Sequence, residues 1–467
     1  MRVLRERSAE DDRLARSPRP PGEPALLERS ELAPRAPLGE TLATLAHLTD
    51  AHVLDAESPA RVTFLDRLGP PFTSTFRPQE ALTAQVLDGA VRAIRALAPD
   101  VVVQGGDLID NAQHNELRRG LAVLRGGPVD PDSGAPGYFG VQSASDPDPF
   151  YYRPDVDAPR HPGMLAAATR AFRARGLGAI PCYPVLGDHD VLVQGVLAPT
   201  PLTDAIARGG RAVWELPAHL HVPGDVSRLT AAAPDGLATE GLMEQLIGEL
   251  LGAPSVQVPP DERRRELAVE EALHSLRAAA GLPGGAPLLD YTFDVGEHVR
   301  VLVLDLVRRE GGSGGLVHDS QPRWLQRQLA LAGRRWLLVF THQPLTSTTG
   351  GHDVLSLLDV HPRVLAAVSG HTHKNKITPR AAPGGGYWLI STASLIDFPQ
   401  QARALRVRAT AHGAAIETWM LDHVPGGVAG LGDVSRELSC LDAQGGRPQG
   451  FAGGALDRNA VLYRAAA

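Results

Sequence analysis

The stretch Leu42-Ala43-Thr44-Leu45-Ala46-His47-Leu48-Thr49-Asp50-Ala51-His52 is answered further along by Val101-Val102-Val103-Gln104-Gly105-Gly106-Asp107. Each is a run of strand-forming residues that ends on carboxylate or imidazole. Between them Leu82, Val86, Ala90, Ile94 and Leu97 recur every three or four residues behind Pro78 and Glu80, which predicts an amphipathic helix opened by a proline-containing turn. Strand, helix and strand, with polar residues at the strands' carboxyl ends, is the pattern of an α/β sheet that binds its ligand at that rim.

The pattern returns three times. Residues 179–186 lead into Gly187-Asp188-His189-Asp190, residues 335–340 into Thr341-His342, and residues 364–369 into Gly370-His371-Thr372-His373. Residues 289–295 and 299–306 read as a two-strand ribbon, residues 321–331 as a helix, and residues 387–392, 404–410 and 415–421 as closing strands. Two long inserts interrupt this core, at about 111–160 and 200–287. The first holds Asp146-Pro147-Asp148-Pro149-Phe150-Tyr151-Tyr152-Arg153-Pro154, whose prolines and lack of periodicity argue for a surface loop. Its aromatic residues are read as anchors of that loop rather than as a platform for a base. The second insert carries helical patterns near 242–251 and 261–280 and suggests a cap.

Composition narrows the class. The 467 residues are 43% hydrophobic and 21% charged, as in soluble globular proteins, and suffice for one large unit or for two or three ordinary domains. A net charge of −7 gives no bulk reason to expect nucleic acid or an anionic membrane as partner. Cys182 and Cys440 are too few for a disulfide framework and read as reduced thiols. Residues 1–40 are rich in Arg, Pro and Glu, with no apolar run long enough for a signal peptide or a spanning helix, and Arg2, Arg5 and Arg7 do not form a twin pair. The resulting expectation is a cytoplasmic protein with three regions: a disordered or extended arm (1–40), a main domain (41–423) and a peripheral Gly-rich tail (424–467). Oligomeric state is left open.

Two divalent cations about 3.5–4 Å apart hydrolyse phosphate esters by clamping the attacking and leaving oxygens. Such a site needs a bridging carboxylate surrounded by further Asp and His ligands. Asp107 is the natural bridge. Asp50 and His52 alternate by two, so both enter one site only if the strand breaks there. His342, His371 and His373 add imidazoles, a ligand type suited to zinc and iron.

Taken together, Asp50-Ala51-His52, Gly106-Asp107-Leu108-Ile109-Asp110, Gly187-Asp188-His189-Asp190, His342 and Gly370-His371-Thr372-His373 resemble the signature of the calcineurin-like metallophosphoesterase superfamily, over roughly residues 44–421. The resemblance implies a four-layer α/β/β/α sandwich of two mixed sheets flanked by helices. It also implies two metal ions, of iron, manganese or zinc, and a metal-bridging hydroxide as nucleophile. One ion would be held by Asp50, His52, Asp107 and His373, the other by Asp107, Asp188, His342 and His371. His189 would be the general acid, with Asp110 orienting it as a His–Asp dyad. Asp110 stands where purple acid phosphatases carry Tyr, and Asn111 where protein Ser/Thr phosphatases carry Arg. The chain looks instead like a bacterial subgroup with long inserts.

Asp188 departs from the superfamily, which has Asn at that place. Asp50, Asp107 and Asp188 give −3 against +4 from two divalent ions, leaving +1, whereas Asn would leave +2. The expectation is weaker attraction for dianionic phosphate, or a preference for one trivalent iron. A phosphodiesterase acting on a small phosphoester is therefore favoured. The alternatives are a phosphomonoesterase and a non-hydrolytic phosphate-binding module in which Asp188 has spoiled the second metal site. Lys374 and Lys376, the chain's only lysines, are read as solvated loop charges.

Overall fold

Two mixed β-sheets lie face to face, and helices cover both outer faces. The computed structural model describes residues 4–16, 26–216, 235–250, 252–423 and 430–466. The first sheet is built from β1 (Leu27–Arg29), β2 (Leu38–Leu48), β3 (Val101–Gln104), β4 (Cys182–Pro184), β11 (Gln401–Thr410), β12 (Gly413–Asp422) and β13 (Ala460–Ala465). Their order is β1-β13-β12-β11-β2-β3-β4. The second holds β5 (Tyr291–Val295), β6 (Val299–Leu304), β7 (Trp336–Thr341), β8 (Val364–Ser369), β9 (Lys376–Arg380) and β10 (Tyr387–Ser391), in the order β9-β10-β8-β7-β6-β5.

Parallel pairing dominates where the chemistry sits. β2, β3 and β4 run parallel, as do β6, β7, β8 and β10, so their carboxyl ends collect at one rim. β7 and β8 are buried at every position, which is why they read as unbroken apolar runs. Between the sheets, Leu45, Val103, Leu405 and Ile416 pack against Val301, Leu338, Phe340, Trp388 and Ile390. Outside the first sheet lie α2 (Thr83–Leu97), α3 (His114–Arg125) and α5 (Val269–Ala280), burying Leu87, Val91, Leu117, Leu124, Leu273 and Leu276. Outside the second, α6 (Gln321–Ala330) and α7 (Gly351–Asp359) bury Leu325, Leu329, Val354 and Leu358. These are the four layers that the resemblance implied.

Several boundaries move. The first insert opens with α3, a helix of the core layer, and the second contributes α5 to the same layer. Among the described residues, α4 (Leu237–Leu250), the helix Pro201–Arg208 and the short ribbon Arg211–Val213/Ser255–Gln257 stand apart as a cap, packed on Phe64, Leu65, Val193 and Leu197. Residues 217–234 and 251, which belong to that insert, lie outside the described residues. Phe150 and Tyr151 are buried against Phe76, with Arg67 stacked on Phe150 at 4.2 Å, while Tyr152 packs with Leu82 and Met164. Together they anchor the loop.

The arm and tail also differ from the expectation of a floppy arm and a peripheral end. Residues 1–3, 17–25 and 424–429 lie outside the description. Among the rest, α1 (Ala9–Arg16) docks on α8 (Leu431–Leu441), with Arg5 donating to the Cys440 carbonyl at 2.6 Å and to Asp11 at 2.9 Å. β1 and β13 pair in parallel at the edge of the first sheet. Leu27 and Leu462 give little sequence signal alone, because their partners are far away in the chain. No helix of the described residues is long and apolar enough to cross a membrane.

Candidate metal centre

The strands stop just short of the chemistry. β2 ends at Leu48, and Asp50 and His52 follow with φ of 52° and 42°, in the left-handed region that non-glycine residues rarely enter. Asp107, His371 and His373 do the same, with φ of 49°, 63° and 56°. Five of the ten non-glycine residues with positive φ among those described are thus candidate ligands. Strain of this kind persists where surrounding contacts over-determine it. Here the loops are laced together: Asp50 N–H donates to the Gly106 carbonyl, His52 N–H to the Asp107 carbonyl and Gly370 N–H to the His342 carbonyl, each at 3.0 Å. The break lets Asp50 and His52 enter the same site. Two glycines permit the close approach, because a Cβ on Gly187 would collide with Asp107 and one on Gly106 with the His342 ring.

Every residue singled out from the sequence is brought together. Asp107, Asp188, His342 and His371 form one cluster whose candidate ligand atoms lie within 4.8 Å of one another; Asp50, His52 and His373 form a second, and His52, Asp110 and His189 a third. Asp107 Oδ2 is 3.0 Å from His342 Nε2 and 3.7 Å from His52 Nε2, so it faces both of the first two clusters. Asp188 Oδ1 is 3.2 Å from His342 Nε2 and 3.2 Å from His371 Nδ1. His373 Nε2 lies 3.4 Å from Asp50 Oδ1.

The donor atoms fit cations. His52 Nδ1 donates to Asp110 at 2.9 Å, His373 Nδ1 to Asp397 at 2.6 Å and His342 Nδ1 to the Gly105 carbonyl at 2.8 Å. A neutral imidazole that gives one N–H to a carboxylate or carbonyl presents a lone pair on its other nitrogen, the arrangement found behind metal-ligating histidines. With both rings neutral, as metal ligation requires, the Nε2 atoms of His52 and His373, 3.2 Å apart, would turn lone pairs toward the same space. His342 Nε2 and Asp188 Oδ2 are buried without any hydrogen bond. Burial alone would lower His342, yet Asp107, Asp188 and Asp50 outweigh it and hold its pKa well above the ordinary range. Burial is likewise overcome at His373, which Asp50 and Asp397 raise to about 9. The site demands positive charge, and metal ions held among these donors would satisfy both that demand and the orphaned atoms.

One expected pairing is corrected. The Asp110 carboxylate does not orient His189: Oδ1 accepts from His52 and Oδ2 from Arg61 at 2.5 Å. His189 Nδ1 donates instead to the Asp110 backbone carbonyl at 2.7 Å, with the nearer carboxylate oxygen 3.6 Å away. The buried Arg61, also paired to Glu80 at 2.7 Å, claims the carboxylate because a full guanidinium charge outbids a second imidazole. His189 remains at the cluster, and Asp107, Asp110 and Asp188 outweigh burial to raise its pKa.

Other participants escaped the sequence reading. Asp397 holds His373 and is itself gripped by Arg77 through two contacts of 2.7 and 3.2 Å. Asp190 accepts the N–H groups of Asp107, Leu108, Ile109 and Gly187 at 2.9–3.2 Å and so fixes the loop that presents Asp107. Gln343 donates to Asp188 Oδ1 at 3.0 Å, and Thr49 to Asp50 at 2.6 Å. The cluster opens into a cavity of about 250 Å³ lined in part by Thr73, Ser74, Gln194, Ser313, Gln449 and Phe451. Gln449 and Phe451 come from the segment expected to be peripheral. Lys374 and Lys376 do not line it, and Lys376 reaches Asp457 at 3.4 Å.

No family model matches the chain, and no curated protein matches it. Among solved structures, it is similar to a dimetal phosphatase from Danio rerio, at 14% identity and a TM-score of 0.41, over 82% of this chain and 98% of that one. It is also similar to the sulfate thiohydrolase SoxB of Thermus thermophilus, at 12% identity and 0.32, over 87% and 61%. A third similarity is to a purple acid phosphatase from yellow lupin seeds, at 12% and 0.32, over 82% and 53%.

Proposed function

We propose that the chain is a two-metal phosphoester hydrolase of the calcineurin-like kind, acting on small phosphodiesters. The observation that carries this reading is the convergence of Asp and His ligand atoms in two adjacent clusters that Asp107 faces at once, with His342 Nε2 and Asp188 Oδ2 buried there without a hydrogen bond. Asp50, His52 and His373 would hold one ion, Asp188, His342 and His371 the other, with Asp107 shared. When bound, the two ions supply Lewis acidity toward the phosphoryl oxygens and a nucleophile from water near neutral pH.

The chain's own side chains do the rest. Asp110, Asp397 and the Gly105 carbonyl fix the imidazole tautomers and so aim the ligating nitrogens. His189 spends Nδ1 on the Asp110 carbonyl, which leaves Nε2 to protonate a departing alkoxide. That proton matters for an ester whose leaving group is a poor one. The lean to a diester rests on charge. Among the described residues lining the cavity, the cationic side chains are Arg77, already committed to Asp397, and the histidines. With Asp188 lowering the site's charge further, a monoanion suits it better than a dianion. Asp188 itself sits with His342 and His371, in place to ligate rather than turned away.

Turnover of bis-p-nitrophenyl phosphate and p-nitrophenyl phosphate by protein supplied with manganese and iron tests the assignment. The diester is expected to be preferred. A tenfold preference for the monoester would reverse the choice of substrate, and hydrolysis of neither would remove the enzymatic reading.

A further inference from the structure

A second cavity, of about 300 Å³, stands beside the metal centre and has no part in the chemistry described above. Its walls are mainly apolar: Val62, Val193, Leu197, Val213, Met243 and Ile247 contribute, with Phe64 and Arg211 at its margin, and polar surface is scarce. It does not belong to the core between the sheets. It lies under the cap, where α4 and the helix Pro201–Arg208 meet the turns that follow β2.

The two cavities share a partition. The loop 193–197 leaves His189 within one turn and closes on itself, with Val193 N–H donating to Leu197 O at 2.8 Å and Leu197 N–H to Val193 O at 3.1 Å. Val193 and Leu197, at its base, line the apolar cavity, whereas Gln194 and Val196 line the opening over the metal ligands. At the tip, Gly195 (φ 68°) approaches so closely that a Cβ there would collide with His189 and Asp188. α4 is shared in the same way, with Thr239 on the opening and Met243 and Ile247 on the apolar side. An ester held at the metal cluster thus has an apolar chamber one loop away, on the side of His189.

We propose that this cavity is a substrate subsite for an unbranched alkyl chain, so that the enzyme's esters are amphiphilic phosphodiesters with a short aliphatic substituent. The assignment rests on the hydrolase reading for its catalytic half. The chamber's volume is at the small end of ligand sites, about 300–1,000 Å³, and suits one short chain rather than two long ones. Burying methylenes in it supplies affinity of a kind the polar opening cannot, since each buried methylene favours binding severalfold.

The test separates the two readings. Calorimetric titration of metal-free protein with n-octyl phosphate and with methyl phosphate is expected to show the octyl ester binding about tenfold tighter or better. Equal affinities would overturn the subsite. In metal-loaded protein, kcat/KM is expected to rise from methyl to butyl to octyl 4-nitrophenyl phosphate. Ile247→Trp and Val213→Trp, which fill the chamber from half-buried positions, are expected to abolish that rise and the octyl preference in protein whose circular dichroism spectrum matches the parent's. A chain-length preference that survives both substitutions would sink the proposal. Octyl binding that Ile247→Trp abolishes, in a protein that hydrolyses no ester, would support the chamber and refute the hydrolase.

Discussion

At the scale of single residues, the account turns on carboxylates that hold histidines still. Asp397 is buried, bonded to His373 and gripped by Arg77, and its carboxyl is kept far below the usual range because Arg77 and His373 together overcome burial. Asp397→Asn is expected to cost about 10- to 100-fold in metal affinity, measured by competition with a chelator, while the fold persists by circular dichroism; undiminished affinity would show that His373 needs no such support. His189→Gln is expected to lower kcat by about 10²- to 10⁴-fold with metal content unchanged, and a smaller loss on a diester with a good leaving group. Asp188→Asn is expected to shift preference toward the monoester by restoring site charge, and no change in metal content or activity would count against any role for that charge. The ligands themselves were legible because each follows a strand in a short, recognisable cluster. Asp397 was not, since it acts on a residue 24 positions away and from a different loop. Asp110 was found but its partner was not, because spacing cannot say which of two imidazoles a carboxylate faces once Arg61 has taken one oxygen.

Among the elements, the loops that leave the strands matter more than the strands. β2, α2, β3, β7 and β8 were readable from apolar runs and helical periodicity, and they fix where the ligands emerge. β9 was missed because it is an edge strand containing Pro379, and β13 because its apolar run gives no hint of a partner so far back in the chain. The left-handed turns at Asp50, His52, Asp107, His371 and His373 were unreadable, since Asp and His enter that region more often than most residues but still only rarely, so type alone does not mark where they do so. Between β2 and α2, Glu57 is buried near Asp55 and Asp132 of the first insert, and burial with those neighbouring charges pushes its pKa up to about 8. A carboxyl raised in the folded state keeps its proton where the unfolded chain has lost it, so this group's stabilising contribution falls as pH rises from about 4.5 to about 8. Glu57→Gln is therefore expected to gain melting temperature relative to the parent, by about 2 °C or more, on going from pH 5 to pH 8. Parallel melting curves for the two proteins across that range would show that Glu57 ionises freely.

Across the whole molecule, two sheets bring their carboxyl-terminal rims together, and the site forms where loops from both meet. Asp50, Asp107 and Asp188 come from the first sheet, His342, His371 and His373 from the second, so the centre exists only while the sandwich is intact. This architecture was expected from the family that the ordered clusters resemble. The contribution of the C-terminal segment was not legible, because Gln449 and Phe451 have no periodic context and line the opening from between α8 and β13, where Asn375 N–H donates to the Phe451 carbonyl at 2.9 Å. The most direct measurement is anomalous diffraction from crystals of the metal-loaded protein. Two peaks are expected, one among Asp50, His52 and His373 and one among Asp188, His342 and His371, with Asp107 between them. Absence of both peaks, or metal bound away from Asp107, would contradict the account.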